Sequence, residues 1–150
     1  MTLHRPKGKV KNIDKDKLAY FSQKNGLHYA GTHLLIDFWQ ADHLDDVKIV
    51  KRALRLAVKA CGATLMKLYV HQFSGGGGGI QGAAVLAQSH ITIHSWPELG
   101  YAAFDTFLCG ECDPYAIIPV LQKAFMPGHV QIAEYRRGVL VSSEKQVRPA

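Results

Sequence analysis

The sequence predicts an α+β fold, a two-layer sandwich of a largely antiparallel sheet with helices on one face. Three observations lead there. Residues 31–73 read as strand, helix, strand; residues 82–108 are rich in strands separated by turns; a helix and a strand then close the pattern. With 150 residues, 47% of them hydrophobic, the chain is one domain's worth and can bury a genuine core without disulfide staples. Three segments are expected: a basic extension over 1–29, a folded domain over 30–141 and a tail over 142–150.

Residues 1–29 are polar and lysine-rich, with one short helix expected over Lys15–Gln23. Thr32–Trp39 is β-branched and aromatic and reads as a strand. Asp42 is placed to cap the next helix, with Asp45 three residues on in the manner of a capping box. That helix carries Val47, Val50, Leu54, Ala57 and Cys61 on one face, turns Lys48, Lys51, Arg52, Arg55 and Lys59 outward, and ends at Gly62. Thr64–Phe73 is a second strand. The run Gly75–Gly79 loses too much backbone entropy on ordering to be regular structure.

Gly82–Gln88 and His90–Ser95 read as strands, and Trp96-Pro97-Glu98-Leu99-Gly100 as a turn into the strand Tyr101–Leu108. Asp113-Pro114 opens a second helix in cap and first-turn positions, with Ile117, Leu121 and Ala124 on one face. Pro127-Gly128 stops it, His129–Tyr135 is the last strand, and the chain after Val141 is expected to be loose.

Composition narrows the function. No apolar run approaches the roughly 20 residues of a membrane span. The opening Met-Thr-Leu-His-Arg-Pro-Lys-Gly-Lys lacks the apolar stretch of a secretory signal, so a cytoplasmic location and no membrane partner are expected. Three cysteines, Cys61, Cys109 and Cys112, argue against a disulfide framework. The net charge of +6 gathers at the two ends of the sequence, and Gly75 to Gly110 contains no Lys or Arg. No nucleic-acid partner is therefore expected.

The glycine run is not a P-loop, because no Lys-Ser or Lys-Thr follows it, and a strand follows where a dinucleotide site needs a helix. Cys109-Gly110-Glu111-Cys112 is a CxxC between a strand and a helix, compatible with redox use, but a zinc site would want a second ligand pair. No metal is expected. The densest chemistry lies in Ala87–Glu98, where His90, Thr92 and His94 share one strand face and Ile91 and Ile93 the other. No GxSxG elbow surrounds Ser89, which weakens a hydrolase reading.

These residues resemble the short prokaryotic S-adenosylmethionine decarboxylase proenzyme family. The resemblance spans roughly Gly31 to Gly138. It runs through Gly31-Thr32-His33-Leu34, Asp45-Asp46, Ala53, Gly62-Ala63-Thr64 and His71-Gln72-Phe73. It is strongest in Ser89-His90-Ile91-Thr92-Ile93-His94-Ser95-Trp96-Pro97-Glu98-Leu99-Gly100-Tyr101-Ala102-Ala103, and Cys109-Gly110 also falls in place.

The resemblance implies a mechanism. Ser89 attacks the carbonyl of Gln88, the peptide bond becomes an ester, and elimination cuts the chain to leave a pyruvoyl cofactor derived from Ser89. His94 matches the histidine that assists processing, a role suited to imidazole. The pyruvoyl carbonyl then forms a Schiff base with the amine of a small, amino-acid-type substrate and acts as the electron sink for decarboxylation. Cys109 matches the cysteine that returns a proton to the product. Phe73 matches an aromatic residue near the substrate. The implied product supplies aminopropyl groups for spermidine biosynthesis, and the implied assembly is a homodimer or higher homo-oligomer with sites at or near the interface.

The match departs from the family at Gln88, where Glu is usual and which is expected to be substrate-binding, and at Gln81, where a serine supports processing. Its glycine loop is also about two residues longer. Losing a carboxylate about 4 Å from a cationic substrate is worth up to ~4 kcal/mol. That is enough to shift activity toward arginine or ornithine. Losing the serine slows cleavage or, in the extreme, leaves an uncleaved paralogue that binds or regulates. Strand register is beyond the sequence. A five-residue connection after Ser95 would pair His94 with Ala102 and put Cys109 on the opposite face, so the family roles require a one-residue shift.

Overall fold

The computed structural model describes residues 18–140. Strands Ser22–Lys24 (β1) and Leu27–Tyr29 (β2) form a small hairpin. This corrects the helix expected over Lys15–Gln23, whose first part lies outside the described residues. Asn25-Gly26 is the missed signal: both take positive φ, 53° and 75°, the backbone a tight hairpin turn requires. The loose tail expected after Val141 also lies outside the described residues.

The main sheet comprises Gly31–Trp39 (β3), Leu65–Gln72 (β4), Ile80–Leu86 (β5), Ser89–Trp96 (β6), Tyr101–Leu108 (β7) and His129–Arg137 (β8). Their spatial order is β4-β5-β6-β7-β3-β8 and every neighbouring pair is antiparallel. Helices Val47–Ala60 (α1) and Ile117–Phe125 (α2) cover one face. Buried Val50, Leu54 and Ala57 of α1 and Ile117, Leu121 and Phe125 of α2 meet Leu34, Ile36, Phe38, Ile91, Ile93 and Phe104 of the sheet. Each Val, Leu, Ile or Phe among them contributes about 1.5–3 kcal/mol by leaving water.

The cap of α1 is Asp46, not Asp42. Its carboxylate accepts from the backbone N–H of Lys48 at 2.8 Å and of Ile49 at 3.0 Å. His43 takes a left-handed φ of 60°, so no helix can run through it, and the Asp42 N–H instead donates to Phe125 O at 2.7 Å. Gly62, at φ 76°, ends α1 as expected. Asp113 caps a short 3₁₀ turn, Pro114–Ala116, that leads into α2. The glycine run makes one irregular turn over Gly76–Gly78, with Gly77 and Gly78 both at φ 76°, so it is not regular helix, as expected. Buried Ser95 joins the layers: its Oγ accepts from Ile80 N at 2.8 Å and donates to Leu44 O at 2.7 Å.

Strands β6 and β7 pair from Ser89↔Leu108 to Trp96↔Tyr101, with His94 opposite Ala103. This is the one-residue shift that the family roles required, although the convergence of His94 and Cys109 expected from it does not occur within one protomer, where His94 lies five residues along β6 from Ser89. Even-numbered residues of β6 therefore share a face with odd-numbered residues of β7. That face is the uncovered side of the sheet, and it carries His90, Thr92 and His94.

Candidate active site

Strands β5 and β6 are joined by Ala87 and Gln88, the tight turn between paired Leu86 and Ser89. Neither turn residue takes a positive φ; Ser89 does, at 121°. Hairpins whose turn residues stay on the negative side commonly place a glycine at the following position. A serine held there stores about 1–3 kcal/mol of backbone strain. The strained residue is the one whose bond to Gln88 the resemblance marks for cleavage.

Cys109 follows the end of β7 and lies against this turn. Its backbone N–H donates to the Gln88 carbonyl oxygen at 3.2 Å, and its thiol donates to the same oxygen at 3.4 Å. Two donors thus converge on the atom that would gain negative charge if a nucleophile attacked Gln88. On the other side, Ser89 Oγ lies 3.1 Å from His90 Nδ1.

Burial lowers the pKa of the His90 imidazole from 6.5; nearby His33 and Arg137 push it the same way against the opposing pull of Asp105. A neutral imidazole can accept the hydroxyl proton of Ser89. Its surroundings are built: Phe107 tilts toward it at 6.2 Å, the Arg137 guanidinium lies over Phe107 at 4.9 Å, and His33 Nε2 is 3.2 Å from Asp105 Oδ1.

Gln88, Ser89 and Cys109 therefore meet at one end of the sheet. Gln81, His94 and Phe73 lie toward the other. Gln81 pairs with His94 across β5 and β6 and with His71 across β4 and β5. Phe73 is exposed and meets His71 edge-on at 4.9 Å. His94 stacks on Trp96, with centroids 6.3 Å apart. At about 3.3 Å per strand residue, His94 sits roughly 16 Å along β6 from Ser89. The Gln88 side chain turns toward the start of β4, where its Oε1 accepts from Thr64 N at 2.9 Å.

Two participants were not legible beforehand. His90 follows Ser89 directly, and strand alternation, which sends neighbours to opposite faces, gives no reason to pair them. The positive φ of Ser89 breaks that alternation. Thr64 acts only through its backbone and leaves no side-chain signal. Cys61 and Cys112 pack on the core, and burial raises both thiols above their ordinary pKa.

The chain is similar to known proteins. A family profile described as S-adenosylmethionine decarboxylase matches residues 32–138. An S-adenosylmethionine decarboxylase proenzyme from Methanococcus maripaludis is 44% identical over 117 residues, covering 76% of this chain and 94% of that protein. One from Thermomicrobium roseum is 42% identical over 112 residues, covering 74% and 96%. The crystal structure of the adenosylmethionine decarboxylase from Aquifex aeolicus superposes with a TM-score of 0.66 at 31% identity, covering 79% of this chain and 97% of that one. The matched residues take in the whole main sheet apart from Gly31, both helices and the strained turn, and the chain belongs to the S-adenosylmethionine decarboxylase family.

Proposed function

We propose that this chain is a proenzyme that cuts itself between Gln88 and Ser89 and decarboxylates S-adenosylmethionine with the pyruvoyl group so formed. The observation that carries the reading is the Gln88 carbonyl, capped by the Cys109 N–H and thiol beside a serine at φ 121°. Ser89 Oγ forms a C–O bond to the Gln88 carbonyl carbon as its proton passes to the imidazole beside it. The C–N bond then breaks, and the nitrogen leaves as the free amine of residue 89. Loss of a proton from Cα and of the Gln88 carboxylate from Cβ leaves a 2-aminoacryloyl group. Its imine form takes up water and releases ammonia. No outside oxidant or reductant is needed.

The pyruvoyl group supplies a carbonyl that withdraws electrons from the substrate as carbon dioxide departs. Cys109 remains beside residue 89, where its thiol can deliver a proton to the carbon that lost the carboxylate. Exposed Phe73 offers a ring face on which a flat, cationic ligand can stack. The decarboxylated product would then supply aminopropyl groups for spermidine.

A second copy of the chain completes the reading. Within one protomer His94 and Gln81 are remote from Ser89, yet both lie on the uncovered sheet face. Trp39, Tyr101 and Trp96 stack in sequence on that face, at 4.3 Å and 5.3 Å. Two such faces packed about a two-fold axis perpendicular to the strands would bring the His94 end of one over the Ser89 end of the other. The proposal is therefore of a homodimer, placed in the cytoplasm; among the described residues no helix is long and apolar enough to cross a membrane.

Diversion toward arginine or ornithine rested on Gln88 facing the substrate. With its amide oxygen bonded to Thr64 N, that argument loses its support, and S-adenosylmethionine is the favoured substrate. Intact mass under denaturing conditions tests the proposal. Fragments matching 1–88 and 89–150, the second blocked at its amino terminus, are expected, followed by carbon dioxide release from S-adenosylmethionine. A single uncut chain, stable over days, would overturn it and favour a binding paralogue.

A further inference from the structure

We propose that Gln88 is a positioning residue for self-cleavage, its side chain clamping the scissile turn to the backbone of Thr64 so that Ser89 stays in its strained conformation. The inference rests on the cleavage reading for its consequence, though the clamp itself can be measured without cleavage.

Thr64 is firmly placed. It follows the end of α1, where Gly62 N donates to Lys59 O at 3.3 Å and Ala63 N to Val58 O at 3.1 Å. From that base Thr64 presents both backbone groups to the turn. Its carbonyl accepts from Ala87 N at 3.0 Å, and its N–H donates to Gln88 Oε1 at 2.9 Å. The main-chain carbonyl of Gln88 is meanwhile held by Cys109 N at 3.2 Å. Residue 88 is thus fixed twice, by its side chain to the segment leading into β4 and by its carbonyl to the end of β7.

The residue that joins these restraints to the rest of β6 is Ser89. For Ser89 to relax to a negative φ, the peptide joining it to Gln88 must rotate. That rotation would carry the Gln88 oxygen off the Cys109 N–H, and the side-chain anchor opposes it. One backbone bond from Ala87 closes the turn; the second bond, from the side chain, fixes its orientation. A glutamate oxygen could accept the Thr64 N–H equally well, whereas an apolar side chain could not. The chemistry served is the step described above: a C–O bond forms at Gln88, its C–N bond breaks, and the nitrogen takes up the proton given by Ser89 and leaves as an amine.

The test has a kinetic and a thermodynamic arm, both on the full chain. Cleavage of freshly purified precursor is timed by denaturing mass analysis for the parent chain, Gln88→Glu and Gln88→Leu. Gln88→Glu should cleave within about twofold of the parent, and Gln88→Leu about tenfold slower, as expected if some of the stored strain is lost. The second arm uses uncleavable chains. Ser89→Gly should melt higher than Ser89→Ala, because glycine adopts φ 121° without strain. If the clamp imposes that conformation, the difference in Tm should shrink by half or more when Gln88→Leu is added to both.

An undiminished Tm difference, or a Gln88→Leu chain that cleaves at the parent rate, would overturn the clamp. A side chain that merely stabilised the fold would lower both melting points equally and leave their difference alone. Failure of the parent chain to cleave would count against the proenzyme reading instead, and the melting comparison would still decide the clamp.

Discussion

The carbonyl oxygen of Gln88 accepts hydrogen bonds from both the backbone N–H and the thiol of Cys109, at 3.2 Å and 3.4 Å. The two donors make unequal demands on residue type. Any residue but proline supplies the N–H, whereas the second donor needs a side chain. Cys109→Ala is therefore expected to slow self-cleavage by about tenfold without abolishing it, below the loss of about 10²–10³ seen when a strong oxyanion donor is removed. Cys109→Ser should retain most of the cleavage rate. Both variants, once cleaved, should release carbon dioxide more slowly than the parent, measured with carboxyl-labelled S-adenosylmethionine.

His90 sets the expected pH dependence. Its folded pKa lies below 6.5, chiefly because burial disfavours the charged ring. The neutral form that accepts the Ser89 proton thus persists to lower pH than in an ordinary histidine. Cleavage should stay level from about pH 8 down to the ordinary value and fall only below it. Stability has the same sign: as pH drops below the unfolded value, the unfolded chain takes up a proton that the folded chain resists. Unfolding free energy should therefore decline through that window, and His90→Gln should flatten the decline while slowing cleavage.

A subunit-mixing experiment tests where His94 acts. Ser89→Ala and His94→Ala chains should each remain uncut, or nearly so, when produced alone. Produced together, they form mixed dimers in which an intact Ser89 faces an intact His94. Fragments of the His94→Ala chain should then appear by mass, carrying that substitution in the 89–150 piece. Absence of those fragments from a verified mixed dimer would rule out the shared site.

Ser95 offers a prediction on stability alone. Ser95→Ala would leave the Ile80 N–H and the Leu44 carbonyl unpaired in a buried setting. A loss of about 1–3 kcal/mol is expected, read as a lower urea midpoint at unchanged slope. An uncleavable Ser89→Ala background keeps the comparison free of processing.

Much of the fold could be read from the order of residues. Thr32–Trp39 and Tyr101–Leu108 are strands because β-branched and aromatic side chains alternate there, and α1 shows its apolar stripe plainly. Local backbone geometry was harder. Asp42, Asp45 and Asp46 are equivalent as sequence, and only the left-handed His43 decides that Asp46 caps the helix. The Asn25-Gly26 signal was present but was outweighed by the lysine-rich extension around it.

By itself the sequence determined the elements of the main sheet and its two helices, the α+β class and the family, because these follow from patterns of neighbouring residues and from one long motif block. It also supplied Ser89 and Cys109 as chemistry-bearing residues. Only the tertiary structure decided which of those residues meet. Strand register depends on the length of the connection at Pro97–Gly100, which sets His94 opposite Ala103. The Ser89–His90 contact depends on a positive φ that no alternating pattern announces. The Thr64–Gln88 bond joins residues 24 apart through a backbone group that every residue but proline possesses. Such contacts are invisible to residue type because they are fixed by where the chain returns, and that is a property of the packed sheet.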